Sequence, residues 1–326
     1  MKLSVVVPAH DEQDTLPELV GRLCGVLDAL TDESEVILVD DGSRDETWSR
    51  MCDAATTHAT VRALRLSRNF GHQAALTAGL SVASGDGTVT MDSDLQHPPE
   101  AIPALLEKAR EGYDVVYAIR LRREGEGWFK ARASTGFYRF LNRVARLDLP
   151  EGAADFRFMS RRVVDALMAM PERHRFLRGM TRWVGYRQGV VAYESPARVA
   201  GQSKYTLRRM VRFALGAIVS FSAVPLRIAS LLGFVASALG AVYLAYVIAV
   251  RLLSDTAVPG WTSVVVVALI LGGAQLLCLG IIGQYLGQMY DEVKGRPLFL
   301  IADDTRDDGP PATSDLGTAS RVTVSG

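Results

Sequence analysis

Cysteine is scarce: Cys24, Cys52 and Cys278 are the three in 326 residues, and none forms a C-x-x-C pair. This excludes a small disulfide scaffold, argues against a thiolate metal centre, and makes a reducing compartment the default. The five histidines, at positions 10, 58, 72, 97 and 174, show no spacing suited to zinc. No G-x-x-x-x-G-K-[ST] loop occurs, which sets aside a P-loop ATPase. Gly85-Asp86-Gly87 is half of a G-x-G-x-x-G and precedes a strand pattern, the wrong order for a dinucleotide site. H-E-x-x-H and G-x-S-x-G are both missing. The opening MKLSVVVPAHDE has too short an apolar run before Pro8 to read as a signal peptide.

Net charge is missing too, but only as a sum. Lys plus Arg and Asp plus Glu each total 36, yet residues 1–114 carry 9 basic and 20 acidic side chains. Residues 115–227 reverse this with 22 basic and 8 acidic, and residues 228–326 carry 5 and 8. An acidic first third followed by a basic middle predicts a metal or nucleotide site beside a surface that meets an anion. Charge is absent altogether from residues 228–250 and 261–290, runs of 23 and 30 positions. Each exceeds the roughly 20 residues needed to cross a hydrocarbon core about 30 Å thick. The short link from Arg251 to Gly260 makes them a helical hairpin. Lys204, Arg208, Arg209, Arg212 and Arg227 precede the first span, whereas the link carries Arg251 against Asp255. The excess of Lys and Arg predicts that the large N-terminal part and the tail face the cytoplasm.

The first 120 residues alternate between strand and helix patterns. Leu3–Val7, Val36–Val39, Val61–Leu66, Thr88–Met91 and Val115–Ile119 read as buried strands. Thr15–Leu30, Asp45–Ala55, Gln73–Ala83 and Pro99–Arg110 have helical spacing between them. Repeated strand–helix units predict an α/β fold with a mostly parallel sheet and flanking helices. Ligands then bind beyond the carboxyl ends of the strands. After residue 120 the pattern degrades into mixed basic and aromatic residues. The predicted organisation is a catalytic domain over 1–203, juxtamembrane amphipathic helices over 204–227, two transmembrane helices over 228–290, and a tail over 291–326, disordered after about 303.

Each of those strand ends delivers acidic or turn-forming residues. The first runs into Pro8-Ala9-His10-Asp11-Glu12, the second ends in Asp40-Asp41-Gly42-Ser43, and the fourth in Asp92-Ser93-Asp94-Leu95-Gln96. Carboxylates at i and i+2 on a strand's exit can converge on a hard divalent cation, and Mg²⁺ or Mn²⁺ accepts carboxylate and phosphate oxygens together. A lone D-x-D is often only a solvated pair; here it ends a buried strand at the edge that also carries Asp40-Asp41.

Six blocks occur in order: VVVPAHDE, DDGSRD, RNFGHQAALTAGL, MDSDLQHPPE, DFRFMSRRV and GQSKY. Followed by two apolar spans, they resemble the family 2 glycosyltransferases of the polyprenyl-phosphate class, over about residues 3–300. The resemblance implies a GT-A fold that binds a nucleotide sugar with Mg²⁺ or Mn²⁺. On that reading Pro8, Ala9, Glu12, Asp40 and Asp41 hold the nucleoside. Asp41 would be the acceptor for the base, and Asp40 could instead brace the loop. Asp92 and Asp94 bring the metal to the diphosphate, and Gln96 orients donor or acceptor. Arg198, Ser203 and Lys204 match the basic segment over the diphosphate, with attraction to the membrane surface the alternative for Arg198. Asp155 matches the position assigned as base in relatives, against an orienting or structural role. Arg120, Lys130 and Ser134 match the acceptor-phosphate positions, and Arg132 could replace Lys130.

The implied reaction is inverting transfer of a sugar to undecaprenyl phosphate, with UDP-glucose the preferred donor and GDP-mannose, UDP-N-acetylglucosamine or an amino-arabinose donor as alternatives. The setting it implies is the bacterial-type plasma membrane, the product a precursor of cell-envelope glycan, and the assembly a homotetramer. A processive polysaccharide synthase would be expected to show Q-x-x-R-W, whereas Gly179-Met180-Thr181-Arg182-Trp183 lacks the Gln. A catalytically inactive anchor subunit would have no need of Asp92, Asp94 and Gln96. Membrane spans and an acidic metal site argue against nucleic acid as the partner of the basic stretch.

Overall fold

The computed structural model describes residues 1–31, 33–120, 153–173, 175–194, 224–253 and 260–306. The first unit is built on β1 (Leu3–Ala9), α1 (Leu16–Leu30), β2 (Ser34–Asp40), α2 (Thr47–Thr57), β3 (Val61–Leu66), α3 (His72–Val82), β4 (Gly87–Thr90), α4 (Ile102–Arg110) and β5 (Val115–Arg120). These match the alternation in the sequence. Beyond residue 120 the chain adds β6 (Ala153–Ser160), α5 (Arg161–Ala169), α6 (Leu177–Trp183) and β7 (Gln188–Tyr193). The second unit holds α7 (Val224–Leu253) and α8 (Trp261–Val293), after which β8 (Ile301–Asp304) belongs to the first unit again.

The eight strands form one sheet in the order β7-β5-β6-β4-β1-β2-β3-β8. β1 pairs in parallel with β2 and β4, β2 with β3, and β5 with β7. β6 runs antiparallel between β4 and β5, and β8 antiparallel against β3. The sheet is therefore mostly parallel with two reversed strands. All seven residues of β1 are buried, as a central strand covered on both faces requires. Full burial of each Val or Leu there contributes about 1.5–3 kcal/mol. Gly79 on α3 has no side chain where the helix meets Val6 and Val39, so helix and sheet pack closely.

Within the tail expected from residue 291 onward, β8 joins the sheet of the first unit. Arg62 donates to both oxygens of Asp304, at 3.0 and 2.6 Å. The Ser67 N–H bonds Leu300 O at 2.9 Å, and Thr305 bonds Ala63 through both backbone and hydroxyl. These contacts run through Thr305, close to the expected boundary near 303. Four residues of β8 give too short a period-2 signal to be seen in isolation, and the strand exists only against β3.

In the second unit α7 and α8 have 30 and 33 residues, lengths of about 45 and 50 Å. They are two helices long and apolar enough to cross a membrane. Pro225 falls in the first turn of α7, where its missing N–H costs nothing. Cys278 packs against α7, its Sγ 3.6 Å from Ala229 O. Side chains such as Leu239, Leu244, Leu276 and Leu279 are exposed.

Candidate active site

The parallel pairing brings the carboxyl ends of β1, β2, β4, β5 and β7 and the start of β6 to one edge of the sheet. Asp40 ends β2 and Asp41 follows it, beside the loop that follows β1. That loop is knitted to the β2–α2 loop: the Asp11 N–H bonds Ser43 Oγ at 3.0 Å, Arg44 N–H bonds Asp11 Oδ1 at 2.8 Å, and Glu12 N–H bonds Thr47 Oγ1 at 2.9 Å. The Glu12 carboxylate accepts from the Thr15 hydroxyl at 3.0 Å. Pro8 and Ala9 are buried in β1.

The two aspartates at the end of β2 have different partners. Asp41 accepts the N–H groups of Phe70 at 2.7 Å and Gly71 at 2.9 Å, so it braces the loop ahead of α3. Burial pushes its pKa up, against the lowering effect of those two N–H donors. Asp40 Oδ1 accepts the Ser43 N–H at 2.9 Å. Its Oδ2 is fully enclosed, has no hydrogen bond among the described residues, and lies 3.6 Å from Arg65 Nε. Asp40 is thus the carboxylate with an unused acceptor.

Asp92 and Asp94 follow β4. The Asp92 N–H donates to His97 Nδ1 at 2.9 Å, which requires the His97 proton on Nε2. His97 is itself buried, stacked on Phe156 with centroids 5.1 Å apart. Asp94 Oδ1 accepts the Gln96 N–H at 3.1 Å. Between them Leu95 takes a φ of 59°, in the left-handed region that a leucine adopts only under constraint. Its side chain is buried in the core, so packing holds the strained turn and with it the orientation of Asp94 and Gln96. Asp92 Oδ1 is enclosed yet accepts no hydrogen bond among the described residues. An enclosed carboxylate oxygen whose near neighbour is His72 Nε2 at 3.4 Å, followed two residues on by a second carboxylate, is of the chemistry that a hard divalent cation takes. Among the described residues no cluster of three or more His, Cys, Asp or Glu forms a metal set.

Asp155, at the start of β6, is 2% exposed and tightly engaged. Arg178 grips it at 3.1 Å on Oδ1 and 2.8 Å on Oδ2, and Arg157 bonds Oδ1. Burial alone would raise its pKa; the charges of Arg178 and Arg157 and a hydrogen bond from His72 prevail and hold it well below the ordinary range. Arg157 is 1% exposed and also bonds Thr181 Oγ1 at 2.9 Å. The Asp155 carboxylate is thus held as the counter-ion of Arg178 and Arg157.

One residue that sequence reasoning missed as a functional group is His72. Its Nε2 lies 3.4 Å from Asp92 Oδ1 and 3.4 Å from Asp155 Oδ2, linking the carboxylate pair to the buried ion cluster. Burial would lower its pKa, but these two acids outweigh that and raise it. The RNFGH block contained the signal, but only the fold brings residue 72 to residues 92 and 155. Arg120 ends β5 at the same edge. Lys130, Arg132, Ser134, Arg198, Ser203, Lys204 and the amphipathic segment expected over 204–227, as far as residue 223, lie outside the described residues.

The profile of glycosyl transferase family 2 matches residues 4–168 of the chain, more than half its length. The chain belongs to glycosyl transferase family 2. This glycosyltransferase is 43% identical over 303 residues to an uncharacterized glycosyltransferase of Synechocystis, covering 93% of this chain and 95% of that one. It is 38% identical over 301 residues to a prophage-derived bactoprenol glucosyl transferase of Shigella flexneri, covering 92% and 97%. Among solved structures it resembles glucosyl-3-phosphoglycerate synthase of Mycobacterium tuberculosis, crystallised with Mn²⁺, UDP and glucosyl-3-phosphoglycerate. That likeness has a TM-score of 0.51 and 22% identity, covering 68% of this chain and 80% of the other, and it establishes the shared GT-A fold.

Proposed function

We propose that this glycosyltransferase moves glucose from UDP-glucose to undecaprenyl phosphate, with inversion at C1, at the cytoplasmic face of the membrane. The observation that carries the reading is end-to-end similarity to bactoprenol glucosyl transferases, over 92% of this chain and so including both apolar helices. The chemistry at the sheet edge supports it. A phosphate oxygen of the acceptor bonds to C1 as the bond from C1 to the diphosphate breaks, and both electrons leave with UDP. A divalent ion, Mg²⁺ or Mn²⁺, held by Asp92 and Asp94 would neutralise charge on the departing diphosphate.

Other steps fall to the chain itself. Arg120 offers a guanidinium to the incoming phosphate at the edge that carries the carboxylates. A phosphate monoester with its second pKa near ~6 is mostly a dianion at neutral pH, so attack needs no strong base. This agrees with Asp155 as a permanent anion that fixes Arg178 and His72. The excess of basic residues ahead of α7 supports a cytoplasmic catalytic domain.

The test is release of nucleoside diphosphate by the purified full-length chain in detergent. A panel of nucleotide sugars is supplied with and without undecaprenyl phosphate. UDP from UDP-glucose, only when the lipid is present, is the expected result. Release without lipid would indicate a polymerase or hydrolase, another active donor would replace glucose, and silence throughout would indicate a non-catalytic subunit.

A further inference from the structure

Tyr193 is the last residue of β7 and lies directly opposite Arg120, the last of β5, in the parallel register. Both strands end at the edge that carries Asp92 and Asp94. The ring of Tyr193 is locked from two sides. It meets Phe156 edge-on at 5.5 Å and 80°, and His97 edge-on at 6.3 Å and 78°. Since His97 holds the Asp92 backbone through Nδ1, one aromatic stack fixes both the phenol and the exit of β4. The residue is 7% exposed.

Three charges reach the hydroxyl. Burial raises the Tyr193 pKa to about 12, with Arg120 pulling it down and Asp92 and Asp94 pushing it up. The group is therefore an O–H donor at every pH where the protein works. Carboxylates engaged with a cation do not need that proton. A phosphate oxygen brought to the same edge does, because Arg120 supplies charge but cannot alone satisfy the several acceptor lone pairs of a phosphoryl group.

We propose that Tyr193 is a substrate-contacting residue whose hydroxyl, beside Arg120, donates a hydrogen bond to a phosphate oxygen seated at the Asp92–Asp94 edge. The inference rests on the reading above that this edge handles phosphates. The phosphate has two possible sources, the lipid monophosphate and the sugar-nucleotide diphosphate.

Tyr193→Phe removes the hydroxyl and keeps the ring that packs on Phe156 and His97, so its fold and melting temperature should match the wild type. The full-length variant is assayed for UDP release, varying undecaprenyl phosphate at saturating UDP-glucose and then the reverse. UDP binding is measured separately by calorimetry. A KM about tenfold higher for the lipid, with UDP binding unchanged, assigns the bond to the acceptor. Weaker UDP binding and a higher KM for the sugar nucleotide assign it to the diphosphate. Kinetics equal to wild type in both arms overturn the proposal. So does a uniform fall in kcat with both KM values and UDP binding unchanged. Failure of the underlying reading is a separate outcome, because the wild type itself would then release no UDP with any lipid phosphate.

Discussion

Replacing Asp155 by Asn distinguishes an ion-pair anchor from a catalytic base. The substitution keeps the shape of the side chain and removes the charge that holds two guanidiniums. One of these, Arg157, is 1% exposed and would remain as an uncompensated buried cation. Breaking a buried pair from one side costs about 3–5 kcal/mol. For a domain of this size that corresponds to a fall in melting temperature of roughly 6–20 °C. The pH dependence follows from the direction of the shift. The folded-state pKa of Asp155 is lowered, so its stabilising contribution is present above the ordinary carboxylate range and is lost as pH falls through the folded value. Between pH 8 and 5 the contribution should be flat, and any inflection of the rate there must come from another group. Thermal unfolding in detergent, followed by tryptophan fluorescence at several pH values, measures the first effect. A pH–rate profile for UDP release measures the second. A variant that melts within 2 °C of wild type but loses turnover together with a wild-type acid limb near neutrality would refute the anchor and restore the base.

Asp94→Ala should abolish UDP release while the melting temperature stays within a few degrees, since Asp94 supports a short turn rather than the core; retained turnover would mean the metal site lies elsewhere. Gly42→Ala places a methyl 2.5 Å from the backbone of Arg68 and Asn69 at a φ of 64°. The loop that Asp41 braces must then shift, and UDP affinity by calorimetry should fall more than tenfold. Asp304→Ala unties Arg62 from β8, a half-buried bidentate pair, and should lower stability by about 1–2 kcal/mol in urea unfolding. An unchanged midpoint would show that β8 is held by its backbone alone.

Much of this was legible from the residues, for reasons that can be traced. The five strands up to residue 120 announce themselves because each is a short apolar run and the first four are each followed by a helical period. The D-x-D motif stands out because it ends one of them. β6 and β7 escape notice because Arg157 lies mid-strand as a buried cation, and because β7 alternates only weakly between buried and exposed positions. A buried arginine breaks any hydrophobic pattern unless its counter-ion, here Asp155, is already known. The roles of Asp40 and Asp41 could not be divided in advance, since the Phe70 and Gly71 N–H groups come from a loop about thirty residues away. His72 and Tyr193 are invisible as site residues for the same reason, their neighbours being supplied by other strands.

The return of the chain to β3 has a practical side. A soluble catalytic fragment made by stopping ahead of α7 would strip away β8 and leave Val61–Leu66 as a naked border strand, its amides and carbonyls open to any passing chain. Such a fragment invites edge-to-edge clumping whatever its membrane anchor did. Splicing residues 295–306 back on through a flexible linker would close that border, so the two pieces flanking the hairpin are best treated as halves of one folding unit.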